Sequence, residues 1–251
     1  MTGAGAAALL AVDEVRVEFG GIVALADLSF TVDERQICAL IGPNGAGKTT
    51  LFNCVSRLYE PTSGSIRFGG TDLLGEPAHR IATHGITRTF QNLALFPALT
   101  VLENVMLGAH AKREREHVRR AQAMAVLDRL GLADLAPHHA AGLPYGTLKR
   151  IELARALASR PRMLMLDEPA AGLTHSEVDE LAELIRTLHE EYEMSVLLVE
   201  HHMQMVMAIS EKIVVLDFGS KIAEGTPTEI SGNARVIEAY LGHPDAREGA
   251  S

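Results

Sequence analysis

The pattern of apolar and polar positions divides the chain into three stretches. Val15, Val17 and Phe19 alternate with polar neighbours, and Leu25, Leu28, Phe30 and Val32 follow, so residues 12–35 predict two strands joined at Phe19-Gly20-Gly21. Ile37–Ile41 is an unbroken apolar run of strand length. Helical spacing takes over from near Lys48, through Thr50, Leu51, Phe52, Val55 and Leu58. Residues 61–70 hold a turn and a short strand at 65–68, and another short strand is predicted at 86–90. From about 100 to 157 strand signals vanish and helical ones replace them; residues 112–120, crowded with Arg, Glu and Lys, predict a solvated helix face. The alternation then returns. It predicts a buried strand at 163–166, a helix at 176–190 and a strand at 195–199. Val178, Leu181, Ile185 and Leu188 give the helix one apolar face, and Ser176-x-x-Asp179 predicts its capping box. Residues 213–216 and 222–223 predict a hairpin turning at Gly219, and a polar, disordered tail is expected from Gly242. No internal repeat is visible. These elements predict an α/β core interrupted by a helical insert.

At 251 residues the chain can bury a large core. The net charge of −9 argues against nucleic acid, which needs a basic surface, and against a polybasic membrane anchor. The first ten residues are apolar but lack a basic flank, and Asp13 with Glu14 cuts them short of a span; no later run is long enough to cross a bilayer. The two cysteines, Cys38 and Cys54, fall in a strand and a helix and read as small core residues of a reducing compartment. The expectation is a soluble cytosolic protein that reaches a membrane only through a partner.

Between the apolar run and the helix stands Gly42-Pro43-Asn44-Gly45-Ala46-Gly47-Lys48-Thr49, which fits G-x-x-x-x-G-K-[ST] at every fixed position. The glycines let successive backbone N–H groups turn toward phosphate oxygens. Lys48 supplies a point charge, Thr49 offers a hydroxyl to Mg²⁺, and Thr50 continues the helix whose N-terminus faces the anion. Downstream, the strand at 163–166 runs into Asp167-Glu168-Pro169. A carboxylate at the end of such a strand can hold Mg²⁺ through water, and the next one can reach a water in line with the γ-phosphate.

A third motif is more specific. Leu143-Pro144-Tyr145-Gly146-Thr147, with Lys149-Arg150 and Ala154-Arg155-Ala156-Leu157, precedes Asp167 by about twenty residues. It resembles the signature segment and following helix of ABC-transporter ATPases. The resemblance covers residues 10–241 and implies a P-loop, RecA-like core (about 10–91 and 160–241) with an antiparallel β subdomain, a helical subdomain (about 92–159) and a polar tail at 242–251. It makes Phe19 the aromatic that stacks on adenine and Gln91 the Q-loop glutamine beside Mg²⁺. Ala171-Gly172-Leu173-Thr174 becomes the D-loop. Glu168 becomes the general base, and His201, rather than the adjacent His202, the switch histidine. ATP and Mg²⁺ are the implied cofactors. The implied partners are a second ATP-binding subunit (homodimer or paired heterodimer), transmembrane permease subunits that place the chain on the inner face of the plasma membrane, and, indirectly, an extracytoplasmic binding protein. Phe19-Gly20-Gly21, Thr89-Phe90-Gln91-Asn92, Leu143-Pro144-Tyr145-Gly146, Ala223-Glu224-Gly225-Thr226-Pro227 and the sequence from Val236 to Gly242 resemble the branched-chain amino-acid importers within that family. Urea importers and the lipopolysaccharide-export ATPase share parts of this vocabulary. One departure stands out: the usual signature L-S-G-G-Q has a serine where this chain has Pro144, which offers neither hydroxyl nor N–H.

Other readings fit less of the chain. A P-loop small-molecule kinase explains residues 42–49 and Asp167 but not 143–157, Gln91 and His201 together. A soluble ABC protein acting on DNA or ribosomes is opposed by the acidic balance. The pairs His138-His139 and His201-His202 are expected not to bind metal, because adjacent side chains diverge and no carboxylate is expected at ligand spacing. Met203, Met205 and Met207 read as irregular core filling. Around residues 92–103, Phe96, Pro97 and Leu99 mark a surface for docking the permease or, equally, for packing the helical lobe.

Overall fold

A computed structural model describes residues 8–89, 93–112 and 114–241. β1 (Leu10–Phe19) and β2 (Ile22–Val32) pair antiparallel across Gly20-Gly21, both glycines having positive φ. β1 also pairs with β4 (Ser63–Phe68), which leads into β5 (Thr71–Asp72), so this sheet runs β2-β1-β4-β5. The second sheet contains β3 (Ile37–Ile41), β6 (Ile86–Arg88), β7 (Met163–Asp167), β8 (Ser195–Val199), β9 (Lys212–Asp217) and β10 (Ser220–Gly225). Its order is β10-β9-β3-β8-β7-β6, parallel throughout except at the β9–β10 hairpin.

Every residue of β3, β7 and β8 is buried, as a parallel sheet covered on both faces requires. Strand alternation divides those side chains between two cores. Leu164, Leu166, Val196 and Leu198 join the helices α2 (Val101–Gly108), α3 (Glu116–Arg129), α4 (Tyr145–Ala158) and α5 (His175–Tyr192). Met163, Met165, Leu197 and Val199 instead pack against α1 (Lys48–Val55) and the antiparallel sheet. A smaller cluster under β3 and β9 takes in α6 (Met203–Ile209), α7 (Pro227–Ser231) and α8 (Ala234–Leu241). Met205 is buried, and Met203 and Met207 pack against the smaller cluster, in keeping with core filling.

Some predicted boundaries move. The helix expected at 176–190 begins at His175, and its cap is Thr174, whose N–H and hydroxyl both donate to Glu177 at 2.8 and 2.7 Å. Ser176 and Asp179 lie exposed inside the helix and do not form the box, because the chain is already helical at Ser176. The charged run at 112–120 spans a junction, since a 3₁₀ turn ends at Lys112 and α3 starts at Glu116. Leu58 lies beyond α1 and is exposed. β6 is described as far as Arg88, Phe90 falling outside the described residues, as does the tail from Gly242. Cys38 and Cys54 are buried and free.

Candidate nucleotide site

The phosphate loop joins the buried end of β3 to α1, and its neighbours explain its glycines. A side chain at Gly42 (φ +151°) would place Cβ 2.1 Å from the Leu216 carbonyl of β9, and one at Gly47 (φ +100°) would place it 2.6 Å from the Ala24 carbonyl of β2. The Gly219 N–H of the β9–β10 turn donates to Ala46 O at 3.1 Å, pinning the loop from a third side. Gly47 caps α1 without a side chain, and no acidic residue occupies the first turn, so the helix N-terminus keeps its positive end for an anion. Pro43 is half-buried, Ala46 is buried, and Asn44, Gly45 and Thr49 are exposed. Thr49 and Thr50 sit in the first turn of α1.

Lys48 is buried, and its ammonium donates to the carbonyls of Gly42 and Pro43 at 2.7 and 2.9 Å. Desolvation lowers its pKa, while the charges of Glu168 and Asp167 oppose that shift. Both carboxylates therefore act on the loop lysine, although 119 and 120 positions separate them from it in sequence. Asp167 ends β7 and is buried, with Oδ2 accepting from Arg88 at 2.7 Å. Glu168 is half-buried with φ +48°, a left-handed conformation rare for a side chain of this size, and its N–H donates to Val199 O at 2.9 Å.

His201 follows β8, its side chain 59% exposed. The buried residue before it organises this corner. Glu200 accepts from the N–H groups of Ala170 (2.7 Å), His201 (2.9 Å) and His202 (3.2 Å), tying the segment after Glu168 to the histidine pair. Glu200, His201 and His202 bring ligand atoms within 4.8 Å of one another, and the two imidazoles lie with ring centroids 4.8 Å apart, contrary to the expectation that adjacent side chains diverge and no carboxylate lies at ligand spacing. The expectation failed because the strand ends at Val199 and the chain turns back on Glu200. Its oxygens are nevertheless committed to three backbone amides.

Phe19 is about half exposed at the end of β1 and meets Tyr59 edge-on, with ring centroids 5.3 Å apart. Pro144 is the N-cap residue of α4, and its side chain makes no capping bond. Tyr145 packs on the 171–174 segment: a Cβ on Gly172 would lie 3.2 Å from its ring. Gly146 faces Glu177 in the same way, at 3.1 Å, while Leu143 and Thr147 are half-buried beside them. Gln91 lies outside the described residues. Thr49 and Asp167 offer hydroxyl and carboxylate oxygens, the hard donors Mg²⁺ prefers, and the charge of Asp167 acts on Lys48 of the phosphate loop, so the residues present fit this ion.

Sequence reasoning gave no role to Arg88, Glu200, Tyr59 or Tyr240. Tyr240, on α8, has its phenol pushed up to about 12 by burial, with a Gly42 backbone hydrogen bond opposing the shift. A polar residue abutting a motif was the only available signal for Arg88 and Glu200.

Comparison with known proteins agrees with this geometry. The ABC transporter family model matches residues 25–171, and a second, described as branched-chain amino acid ATP-binding cassette transporter, matches 220–246. The high-affinity branched-chain amino acid transport ATP-binding protein BraF of Pseudomonas aeruginosa is 43% identical, over 93% of this chain and 98% of the relative. LivG of Salmonella typhimurium, which carries the same description, is 44% identical over the same shares. Among solved structures, a nucleotide-free ATP-binding cassette from an ABC transporter superposes with a TM-score of 0.85 at 26% identity, covering 94% of this chain and all of that one. The ADP conformation of MJ1267, an ATP-binding cassette of an ABC transporter, also gives 0.85, at 27% identity, covering 94% of this chain and 99% of that one. The chain therefore belongs to the ABC transporter family, as one of its ATP-binding, ATP-hydrolysing subunits.

Proposed function

We propose that this chain is the motor subunit of an importer of branched-chain amino acids, working as one of two cassettes that close on ATP and reopen after its hydrolysis. The observation that supports the catalytic part is that the charges of Glu168 and Asp167 both act on Lys48 of the phosphate loop. The cargo rests on the relatives, which are 42–44% identical and named for branched-chain amino acid transport.

In this proposal the loop from Gly42 to Thr50 holds the phosphates through its backbone N–H groups, Pro43 having none, and through the Lys48 ammonium, and the exposed face of Phe19 stacks on adenine. Thr49, Gln91 and Asp167 would hold Mg²⁺, which would supply charge neutralisation for the phosphates. Glu168 orients a water and accepts its proton as oxygen attacks the γ-phosphorus. The bond to the β–γ bridging oxygen breaks, giving ADP and inorganic phosphate. His201 contacts the γ-phosphate and keeps it in line. The core spans about 10–91 and 160–241, and the helical subdomain about 92–159.

Leu143 to Thr147 meet the partner cassette's nucleotide. With Pro144 in the serine position, closure leans on the N-terminus of α4; an unreplaced hydrogen bond to a charged oxygen costs about 1.5–3 kcal/mol. Among the described residues no helix is long and apolar enough to cross a membrane, so permease subunits would anchor the chain on the inner face of the plasma membrane. The segment at 93–103 suits that docking. Phe96 and Pro97 are exposed, while the buried Asn104 holds the loop by accepting from Phe96 N and donating to the carbonyls of Phe96, Leu99 and Thr100. The test is ATPase activity of the assembled transporter in membranes. Stimulation by a binding protein loaded with leucine, isoleucine or valine is expected; equal rates with and without these ligands would refute the cargo.

A further inference from the structure

We propose that Arg88 is a positioning residue for the metal–nucleotide site, fixing the Asp167 carboxylate at a set distance from the phosphate-loop helix. Arg88 ends β6, the strand beside β7, where it pairs with Met165. Its guanidinium donates through Nη2 to Asp167 Oδ2 at 2.7 Å. Through Nη1 it donates to Asn53 Oδ1 at 2.8 Å and to Ser56 Oγ at 3.3 Å, both at the far end of the α1 segment. The same group lies over the Phe52 ring, 5.3 Å from its centroid. Both side chains of the ion pair are buried, at 8% and 5% exposure.

One rigid, planar cation thus joins two segments. The α1 segment carries Lys48 and Thr49, and β7 carries Asp167. A buried ion pair is poor fold glue, because desolvation offsets much of its attraction and apolar side chains fill the same space as well. What a guanidinium fork provides instead is direction: several donors at fixed angles, which lysine cannot reproduce. With Oδ2 held by Arg88, Oδ1 is the oxygen of Asp167 left for the hydration shell of Mg²⁺. Arg88 therefore sets the spacing between the Thr49 hydroxyl and Asp167, on which metal-assisted nucleotide binding depends. Contacts of Lys48 and the loop amides with the phosphates do not depend on it.

This inference rests on the proposed roles of Thr49 and Asp167, and the experiment separates the two. Binding of a fluorescent ATP analogue is measured in Mg²⁺ and in EDTA for the full chain and its Arg88→Met, Arg88→Lys and Asn53→Ala variants, with Asp167→Asn and Thr49→Ala as references. The gain in affinity on adding Mg²⁺ is expected to shrink by roughly 10–100-fold in Arg88→Met, as for loss of a residue that orients a metal ligand. Affinity in EDTA should stay at the parent value, since the phosphate contacts are untouched. Arg88→Lys keeps the charge but not the fork and should fall between; Asn53→Ala keeps the ion pair and should show a smaller loss in the same direction. An unchanged gain in the Arg88 variants, or equal losses in Mg²⁺ and EDTA, overturns the proposal. Should Arg88→Met fail to fold, Arg88→Lys and Asn53→Ala decide. If Asp167→Asn and Thr49→Ala also keep the full gain, the site reading itself has failed.

Discussion

Replacing Glu200 by Gln preserves shape and removes one acceptor from a site where none is spare. The carboxylate is fully buried and serves three backbone N–H groups, one through Oε1 and two through Oε2. An amide has one oxygen. The less costly orientation keeps it on His201 and His202 and turns Nε2 toward the Ala170 N–H, donor against donor. Leaving that buried amide unpaired costs about 1–3 kcal/mol. The two retained bonds lose their charge assistance, about 1 kcal/mol each, against which the relief of a buried charge counts in the other direction. The net expectation is a loss of about 2–3 kcal/mol, or about 4–12 °C in Tm for a chain of this size. Thermal unfolding measures it directly. Because Ala170 lies two residues from Glu168, ATPase turnover should fall further than nucleotide affinity. A melting point within about 1 °C of the parent, with turnover unchanged, would refute the idea that Glu200 organises this corner.

Other outcomes follow from the same structure. Gly47→Ala should abolish nucleotide binding, because its Cβ meets the Ala24 carbonyl, whereas Gly45→Ala, with nothing within 4 Å, should cost only the strain of positive φ, about 1–2 kcal/mol; equilibrium titration with ATP compares them. Burial pushes the Cys38 thiol up to about 12 and Cys54 to about 11, so the folded protein should resist thiol reagents and expose two reactive groups in denaturant; rapid labelling of native protein would contradict this. Pro144→Ser should strengthen ATP-driven dimerisation, read by light scattering, and no change would remove the case for a closure that leans on α4.

What the amino-acid pattern revealed, and what it hid, divides by sequence separation. Lys48 and Asp167-Glu168 are legible because each sits in a local motif whose spacing dictates its element, and the structure brings them within electrostatic reach. The cap of α5 was misplaced because two overlapping patterns, Thr174-x-x-Glu177 and Ser176-x-x-Asp179, are locally equivalent; only the extended backbone at Thr174 decides between them. Arg88 and Glu200 were hidden for a different reason. Asp167, which Arg88 holds, and Ala170, which Glu200 holds, lie 79 and 30 residues away, so these links exist only once β6, β7 and β8 are side by side. The edge-on contact of Tyr59 with Phe19 depends likewise on packing between distant segments.

We propose that this chain binds ATP at residues 42–50 and splits it with Glu168. The most direct measurement follows bound nucleotide and released phosphate in the same samples of the parent chain and Glu168→Gln, at millimolar Mg²⁺. Both proteins should retain ATP, and phosphate release should fall by about 10²–10⁴-fold in the variant. Equal release from the two, or no retained nucleotide in either, would contradict the account.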